Sequence, residues 1–258
     1  MKKLLVTVAA AALMAVAAGA ASAQAVKISV SAEVYPPFAS TDASGKWVGW
    51  EVEIANALCE AAKLQCELVA TPWDGMIPAL TTKKIDAIAA SMSITEERKK
   101  SIDFSDKYYN VPASIAAAKG ADIKPTPEGL KGKIIGVQVS TIHEAYAKKH
   151  FTDAAEIKIY QTQDEANADL AAGRIDATQA DQMALDAFLE SDQGKGCCES
   201  MGTVADDPAV LGLGVGIGVR KEDTELRDKF TAAIKDIRAN GKYDEISKKY
   251  FNFDIYGG

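Results

Sequence analysis

Apolar and polar positions along this chain follow two distinct periods. Runs that are continuously apolar or alternate with period two lie at 26–31, 66–70, 85–89, 133–137, 157–160, 175–178 and 211–219, and they predict strands. Between several of them the spacing changes to that of a helix. Ile54, Leu58 and Ala62 repeat at four, and Leu226, Phe230, Ile234 and Ile237 repeat at four and three, so each set lays one apolar stripe toward a core. Asp223 and Thr224 mark the start of the second of these helices and Gly241 its stop. Strands alternating with helices in this way predict an α/β architecture, a mostly parallel sheet flanked by helices.

The chain also echoes itself. Leu80-Thr81-Thr82-Lys83-Lys84-Ile85-Asp86-Ala87 returns 90 residues later as Leu170-Ala171-Ala172-Gly173-Arg174-Ile175-Asp176-Ala177. Each copy reads as a helix end, a basic turn and a strand entering a sheet, so two similar lobes are expected. Ser91 and Asp181 then hold equivalent places, five residues beyond the strand aspartate, where a parallel strand opens into a ligand crevice. The run Gly212 to Val219 alternates glycine with apolar residues and reads as a strand pressed against neighbouring backbone. It carries neither of the glycine-rich phosphate-binding patterns.

Composition narrows the class. With 258 residues, 48% hydrophobic and 25% charged, the chain is globular, and disorder, collagen and coiled coil are excluded. Its net charge is −7 and no basic cluster follows the first three residues, so no nucleic-acid partner is expected. Lys2-Lys3, the apolar stretch Leu4 to Ala17 and the small-residue site Ala21-Ser22-Ala23 read as a secretory signal peptide spanning 1–23 and cleaved after Ala23. The mature chain then carries 27 basic against 36 acidic residues and a net charge of −9, with no lipid-anchoring cysteine at the cut and no membrane anchor. Export favours disulfides. Cys59 and Cys66, seven apart at the end of a helical pattern, are expected to pair, whereas adjacent Cys197 and Cys198 either form a vicinal disulfide or stay reduced. With two histidines and no C-x-x-C, neither metal nor redox cofactor is expected.

Candidate chemistry gathers after the strands. Ser93 and Glu96 have capping-box spacing, so a helix start, the hydroxyls of Ser91 and Ser93 and the guanidinium of Arg98 converge on a site for a carboxylate. Asp181 offers the opposite charge for an ammonium group. Together they describe a clamp for a free α-amino acid. Tyr35, stiffened by Pro36 and Pro37, and Trp73 offer two aromatic walls to a side chain, with ordinary core packing as the alternative for each. His143 and His150 stand seven apart on a predicted helix without the H-E-x-x-H zinc pattern; His143 borders the loop 139–142 and His150 decorates the helix end. No G-x-S-x-G and no nucleophilic cysteine are present.

Across the mature chain the sequence resembles periplasmic solute-binding proteins of polar amino acid ABC transporters, in particular the lysine/arginine/ornithine-, histidine- and opine-binding group. The resemblance rests on Tyr35-Pro36-Pro37-Phe38, Val48-Gly49-Trp50-Glu51, Trp73-Asp74-Gly75-Met76-Ile77-Pro78-Ala79-Leu80, Ile85-Asp86-Ala87-Ile88, Ser93-Ile94-Thr95 with Arg98, Gly173-Arg174-Ile175-Asp176-Ala177, Tyr250-Phe251 and the ending Tyr256-Gly257-Gly258. It implies a two-lobed type II Venus-flytrap fold with two hinge crossings, lobe 1 discontinuous over 24–110 and 213–258 and lobe 2 over 111–212. It also implies that Arg98 grips the ligand α-carboxylate with help from Ser91 and Ser93, that Asp181 takes the α-ammonium, and that Tyr35 and Trp73 flank the side chain.

Departures from the family pattern bear on specificity. Ala32 stands where cationic amino acid binders carry an acid, with Glu33 one place later; Ala90 replaces a serine; and the Gly-Thr-Thr loop reads Ser140-Thr141-Ile142, leaving the Ile142 backbone N–H to substitute for a hydroxyl. The expectation is a monomeric, non-enzymatic periplasmic receptor for a basic or polar L-amino acid, arginine, lysine, ornithine or histidine first, serving an inner-membrane ABC permease. A glutamine or opine receptor is the alternative. Cyclohexadienyl dehydratases resemble the same fold, and Glu33 is the one acid named for such chemistry.

Overall fold

The computed structural model describes residues 25–257, and the expected signal peptide and its cleavage site lie outside them. Among the described residues twelve strands follow in chain order: β1 (Val26–Ser31), β2 (Ser40–Thr41), β3 (Trp47–Val48), β4 (Cys66–Thr71), β5 (Ala87–Ile88), β6 (Asp103–Tyr109), β7 (Ala113–Ala118), β8 (Ile134–Gln138), β9 (Glu156–Tyr160), β10 (Ala177–Asp181), β11 (Cys198–Thr203) and β12 (Val215–Val219). Nine helices accompany them among the described residues: α1 (Trp50–Ala61), α2 (Met76–Thr81), α3 (Glu96–Lys99), α4 (Ile142–His150), α5 (Gln163–Ala171), α6 (Gln182–Glu190), α7 (Pro208–Leu211), α8 (Thr224–Ala239) and α9 (Lys242–Ser247).

Two five-stranded sheets result, ordered β4-β1-β5-β12-β6 and β11-β7-β10-β8-β9. Each is mixed but mostly parallel, as expected: four strands run one way and a single strand, β12 in the first sheet and β7 in the second, runs against them. In the first, β1 runs parallel to β4 and β5 while β12 runs antiparallel to β5 and β6; in the second, β8 runs parallel to β9 and β10 while β7 runs antiparallel to β10 and β11. The antiparallel strands arise where the chain changes sheets. It leaves the first after Tyr109, enters the second at Ala113, and returns between Thr203 and Val215.

The internal echo is a structural one. Asp86 N–H donates to the Lys27 carbonyl at 2.8 Å and its carboxylate accepts the Lys27 N–H at 3.0 Å; Asp176 N–H donates to the Ile134 carbonyl at 2.9 Å and accepts the Ile134 N–H at 2.8 Å. The two aspartates therefore lock the same strand junction in each sheet, and β5 and β10 become the central strands.

Alternate side chains of the central strands reach opposite faces. Ala87 and Ala89 join the core under α1, α8 and α9 with Trp50, Tyr108, Tyr109, Phe230 and Ile234, whereas Ile88 and Ala90 join Met76, Leu80, Ile102 and Phe104 beneath α2. In the second sheet Ala113, Ile115 and Ala117 pack toward α4 and Ala116 toward α5 and α6. Trp50, fully buried, donates through Nε1 to Ser247 Oγ at 3.0 Å. That hydrogen bond ties α1 to α9.

Two sequence expectations change and one open alternative closes. The run 211–219 is not one strand: Leu211 ends α7, and Gly212 and Gly214 turn the chain at φ +84° and +102°. A Cβ at Gly212 would lie 2.4 Å from the Ile94 carbonyl oxygen, so glycine is required there. The Ser93–Glu96 capping box does not form; Thr95 is the cap, its hydroxyl accepting the Arg98 N–H at 3.2 Å. Cys197 and Cys198 form a vicinal disulfide, and Cys59 pairs with Cys66 as expected.

Candidate functional site

The carboxyl ends of parallel strands from both sheets point into one cavity, with about 640 Å³ of empty space counting its open mouth. Ser31 ends β1, Trp73 follows β4, Ala90, Ser91 and Ser93 follow β5, Gln138 ends β8, Gln163 follows β9 and Asp181 ends β10. This is where a parallel sheet presents its loops and the amino ends of its next helices. Of the residues named from sequence, Glu33, Tyr35, Trp73, Ala90, Ser91, Ser93, Arg98, Ile142 and Asp181 all line the cavity, as does His143. Ser140 is not in the lining and reaches the site through its backbone, its carbonyl accepting from Arg98 Nη2 at 3.3 Å.

Arg98 crosses between the two halves. Its Nη1 donates to the Ser93 carbonyl at 2.9 Å while Nη2 reaches Ser140, and its guanidinium carbon lies 5.3 Å from the centre of the Trp73 ring. Trp73 thus supports the cation as well as walling the cavity. Burial pulls the Arg98 pKa down to about 10, opposed by the attraction of Asp181, and the group stays charged at neutral pH.

Asp181, 7% exposed, accepts from the Tyr35 hydroxyl at 2.9 Å on Oδ2 and stands 3.3 Å from His143 Nε2 on Oδ1. Burial first, and then Asp181, hold the Tyr35 phenol far above its ordinary pKa, so it remains a donor. Glu33 faces the cavity. Its carboxylate accepts from Ser31 Oγ at 2.7 Å and from the Trp73 N–H at 3.2 Å.

Glu51 was not singled out from sequence, where it reads as an acidic residue in the first turn of a helix. It is 2% exposed, accepts the Ser91 N–H at 2.8 Å and the Ser91 hydroxyl at 3.2 Å, and takes a short hydrogen bond from the Tyr108 hydroxyl. Burial raises its pKa to about 7 against the pull of those three donors. Ser91 sits at φ +56°, a conformation a non-glycine residue holds only when its surroundings fix it, and Glu51 does so. Both polar hydrogens of Ser91 are spent on Glu51, so toward the cavity its Oγ is an acceptor. Gln138 and Gln163 were also missed, and Thr141 was named only within the loop 140–142; their places at strand ends and helix starts are the signal that finds them.

Among known sequences, the pattern of the bacterial extracellular solute-binding proteins, family 3, matches residues 26–253. The L-arginine-binding protein of Pseudomonas aeruginosa is 49% identical over 90% of this chain and 90% of its own, and the histidine-binding periplasmic protein of Escherichia coli K12 is 43% identical over 87% and 86%. A solved ancestral arginine-binding protein bound to arginine superposes with a TM-score of 0.80 at 34% identity, covering 88% of this chain and 98% of that one. These relatives are binding proteins rather than enzymes, and Glu33, the one acid offered for dehydratase chemistry, is engaged as a hydrogen-bond acceptor. A match that runs from residue 26 to residue 253, with a relative at 49% identity, means that the chain belongs to the bacterial extracellular solute-binding proteins of family 3.

Proposed function

We propose that this chain is a periplasmic receptor that closes on a basic L-amino acid, arginine before lysine, ornithine and histidine, and presents it as a monomer to an inner-membrane ABC permease. One observation carries the reading: Arg98 and Asp181, opposite charges from different sheets, line the same cavity, and two further carboxylates, Glu33 and Glu51, line it with them. The α-carboxylate goes to Arg98, the Ser93 hydroxyl and the Ile142 N–H at the start of α4. The α-ammonium goes to Asp181 and to Ser91 Oγ, which has only acceptor capacity left. Glu33 brings the cavity a negative charge that a cationic side chain balances, and Glu51, its pKa raised to about 7 by burial, adds to that charge only as it ionises. The arginine- and histidine-binding relatives support the same ligand class.

Lobe 1 would comprise 24–110 and 213–258 and lobe 2 111–212, with the hinge in the two crossings between the sheets and the leader removed after Ala23. Ligand touching both lobes favours the closed form by its differential affinity for that form, and a permease can read the change. Small-angle scattering with and without saturating L-arginine tests this. A smaller radius of gyration is expected; a confirmed ligand that leaves the profile unchanged overturns the closure mechanism.

A further inference from the structure

Asp181 has a second neighbour whose chemistry the clamp does not use. His143, second residue of α4, is buried with its Nε2 3.3 Å from Asp181 Oδ1, while its Nδ1 is buried without any hydrogen-bond partner. The cavity brings Tyr35, Glu33, Glu51, Arg98 and Asp181 together with the ring. Glu144, beside it on α4, is engaged with the Ser140 N–H at 2.5 Å and with Lys148. No acceptor therefore serves Nδ1. A doubly protonated ring would bury a second N–H with nothing to receive it, and a hydrogen on Nδ1 alone would turn a lone pair of Nε2 toward the Asp181 oxygen.

We infer that His143 is a positioning residue: a neutral imidazole carrying its hydrogen on Nε2, which holds Asp181 Oδ1 while Tyr35 holds Oδ2, so that the carboxylate keeps one orientation for the ligand's α-ammonium. The effect on ligand rests on the proposed amino acid clamp; the tautomer does not. The Tyr35 hydroxyl donates to one carboxylate oxygen, His143 Nε2 lies 3.3 Å from the other, and Arg98 is the one Lys or Arg lining the cavity among the described residues, so a carboxylate held at both oxygens would be kept from turning toward it. His143 would thus keep the two ends of the clamp from neutralising each other.

Nitrogen-15 NMR of the imidazoles decides the tautomer, and the chain's two histidines make assignment simple through a His150→Gln control. The expected spectrum at pH 7 shows a bare Nδ1 and a protonated Nε2 for His143, a pattern that Asp181→Asn disturbs. A hydrogen on Nδ1, or a pattern indifferent to Asp181→Asn, overturns the inference. Calorimetric titration with L-arginine and with its des-amino analogue, 5-guanidinopentanoic acid, reads the positioning. His143→Ala is expected to weaken L-arginine roughly tenfold, as for a lost hydrogen bond to a charged group, and to leave the des-amino analogue within about twofold. His143→Gln, which keeps a donor, is expected to recover most of the loss. Equal losses for both compounds, or no rescue by glutamine, would mark His143 as a packing residue. A parent protein that binds neither compound overturns the ligand reading instead, and the tautomer spectrum still decides the pair.

Discussion

The Tyr35 hydroxyl donates to Asp181 Oδ2 at 2.9 Å, linking the loop after β1 of one sheet to the end of β10 in the other across 146 residues of sequence. In the proposed clamp, this contact gives the tyrosine a part beyond that of an aromatic wall. Tyr35→Phe keeps the ring and its stacking on Phe38, 5.9 Å between centres, and removes the donor. The expected outcome is L-arginine binding weakened by roughly tenfold with little change in melting temperature. Unchanged affinity in calorimetry would show the contact to be incidental.

The charged pair makes a stronger claim. Arg98→Ala or Asp181→Ala leaves one end of a zwitterionic ligand buried without its partner, a loss of about 2 to 5 kcal/mol in binding. Arg98→Lys is expected to fall between, because an ammonium cannot span the Ser93 and Ser140 carbonyls that the guanidinium reaches together. Were both alanine variants to bind L-arginine within threefold of the parent, the ligand would have to lie elsewhere.

Sequence reached the frame of this molecule through particular residues. Asp86 and Asp176 were visible because the echo repeats a whole junction, and each makes the same backbone hydrogen bonds. Strand β7 was not visible, because alanine carries little strand preference and its buried run of mostly alanines lacks an exposed face to set a period. Strand β6 hid behind the polar residues Asp103, Ser105, Asp106 and Lys107. In the site, Arg98 and Asp181 stood out as charges after strands. Glu51 did not, since its partner Ser91 lies 40 residues away and only the fold turns a helix-start carboxylate inward. Glu33 was placed one residue from the family's acid, and the structure shows it reaching the cavity by leaning on Ser31 and the Trp73 N–H.

Glu51 gives a prediction for stability against pH. Its pKa rises from an ordinary 4.5 to about 7 on folding, so between those values the native state holds more proton than the unfolded chain. Stability from this group is therefore greatest below pH 4.5 and declines as pH rises to 7, by about 3 kcal/mol. Glu51→Gln removes the titration. Urea unfolding at pH 5 and pH 8 is expected to show the parent losing stability relative to the variant over that interval. Parallel behaviour of the two proteins would mean that Glu51 does not titrate there.

The Cys59–Cys66 disulfide clamps the end of α1 to the first residue of β4, and it closes a loop with a sequence separation of 7. Restricting the unfolded chain over so short a loop contributes about 2.5 kcal/mol in the chain-entropy view. Cys59→Ala with Cys66→Ala is expected to lower the unfolding free energy by that order and to leave L-arginine affinity unchanged, since neither residue lines the cavity. A loss of affinity without a loss of stability would contradict the assignment of a purely structural role.

In the proposed reading, ligand preference within the amino acids turns on Glu33, whose carboxylate lines the cavity and accepts the Trp73 N–H. A guanidinium or ammonium side chain lying along the Trp73 face would meet its carboxylate, and a neutral side chain would leave that charge unbalanced. A thermal-shift screen over the amino acids and several arginine-derived opines separates these cases, because ligand at a hundred times its dissociation constant stabilises the fold by about 2.7 kcal/mol, several degrees in melting temperature. The parent is expected to respond to arginine, lysine, ornithine and histidine ahead of glutamine. Glu33→Ala should lose most of the response to the basic ligands while keeping that to glutamine, because the α-amino acid clamp at Arg98 and Asp181 is untouched. Stabilisation of the parent by glutamate or aspartate alone would sink the proposed side-chain preference and leave the clamp standing, whereas a Glu33→Ala variant that treats every ligand as the parent does would move the source of specificity to Glu51.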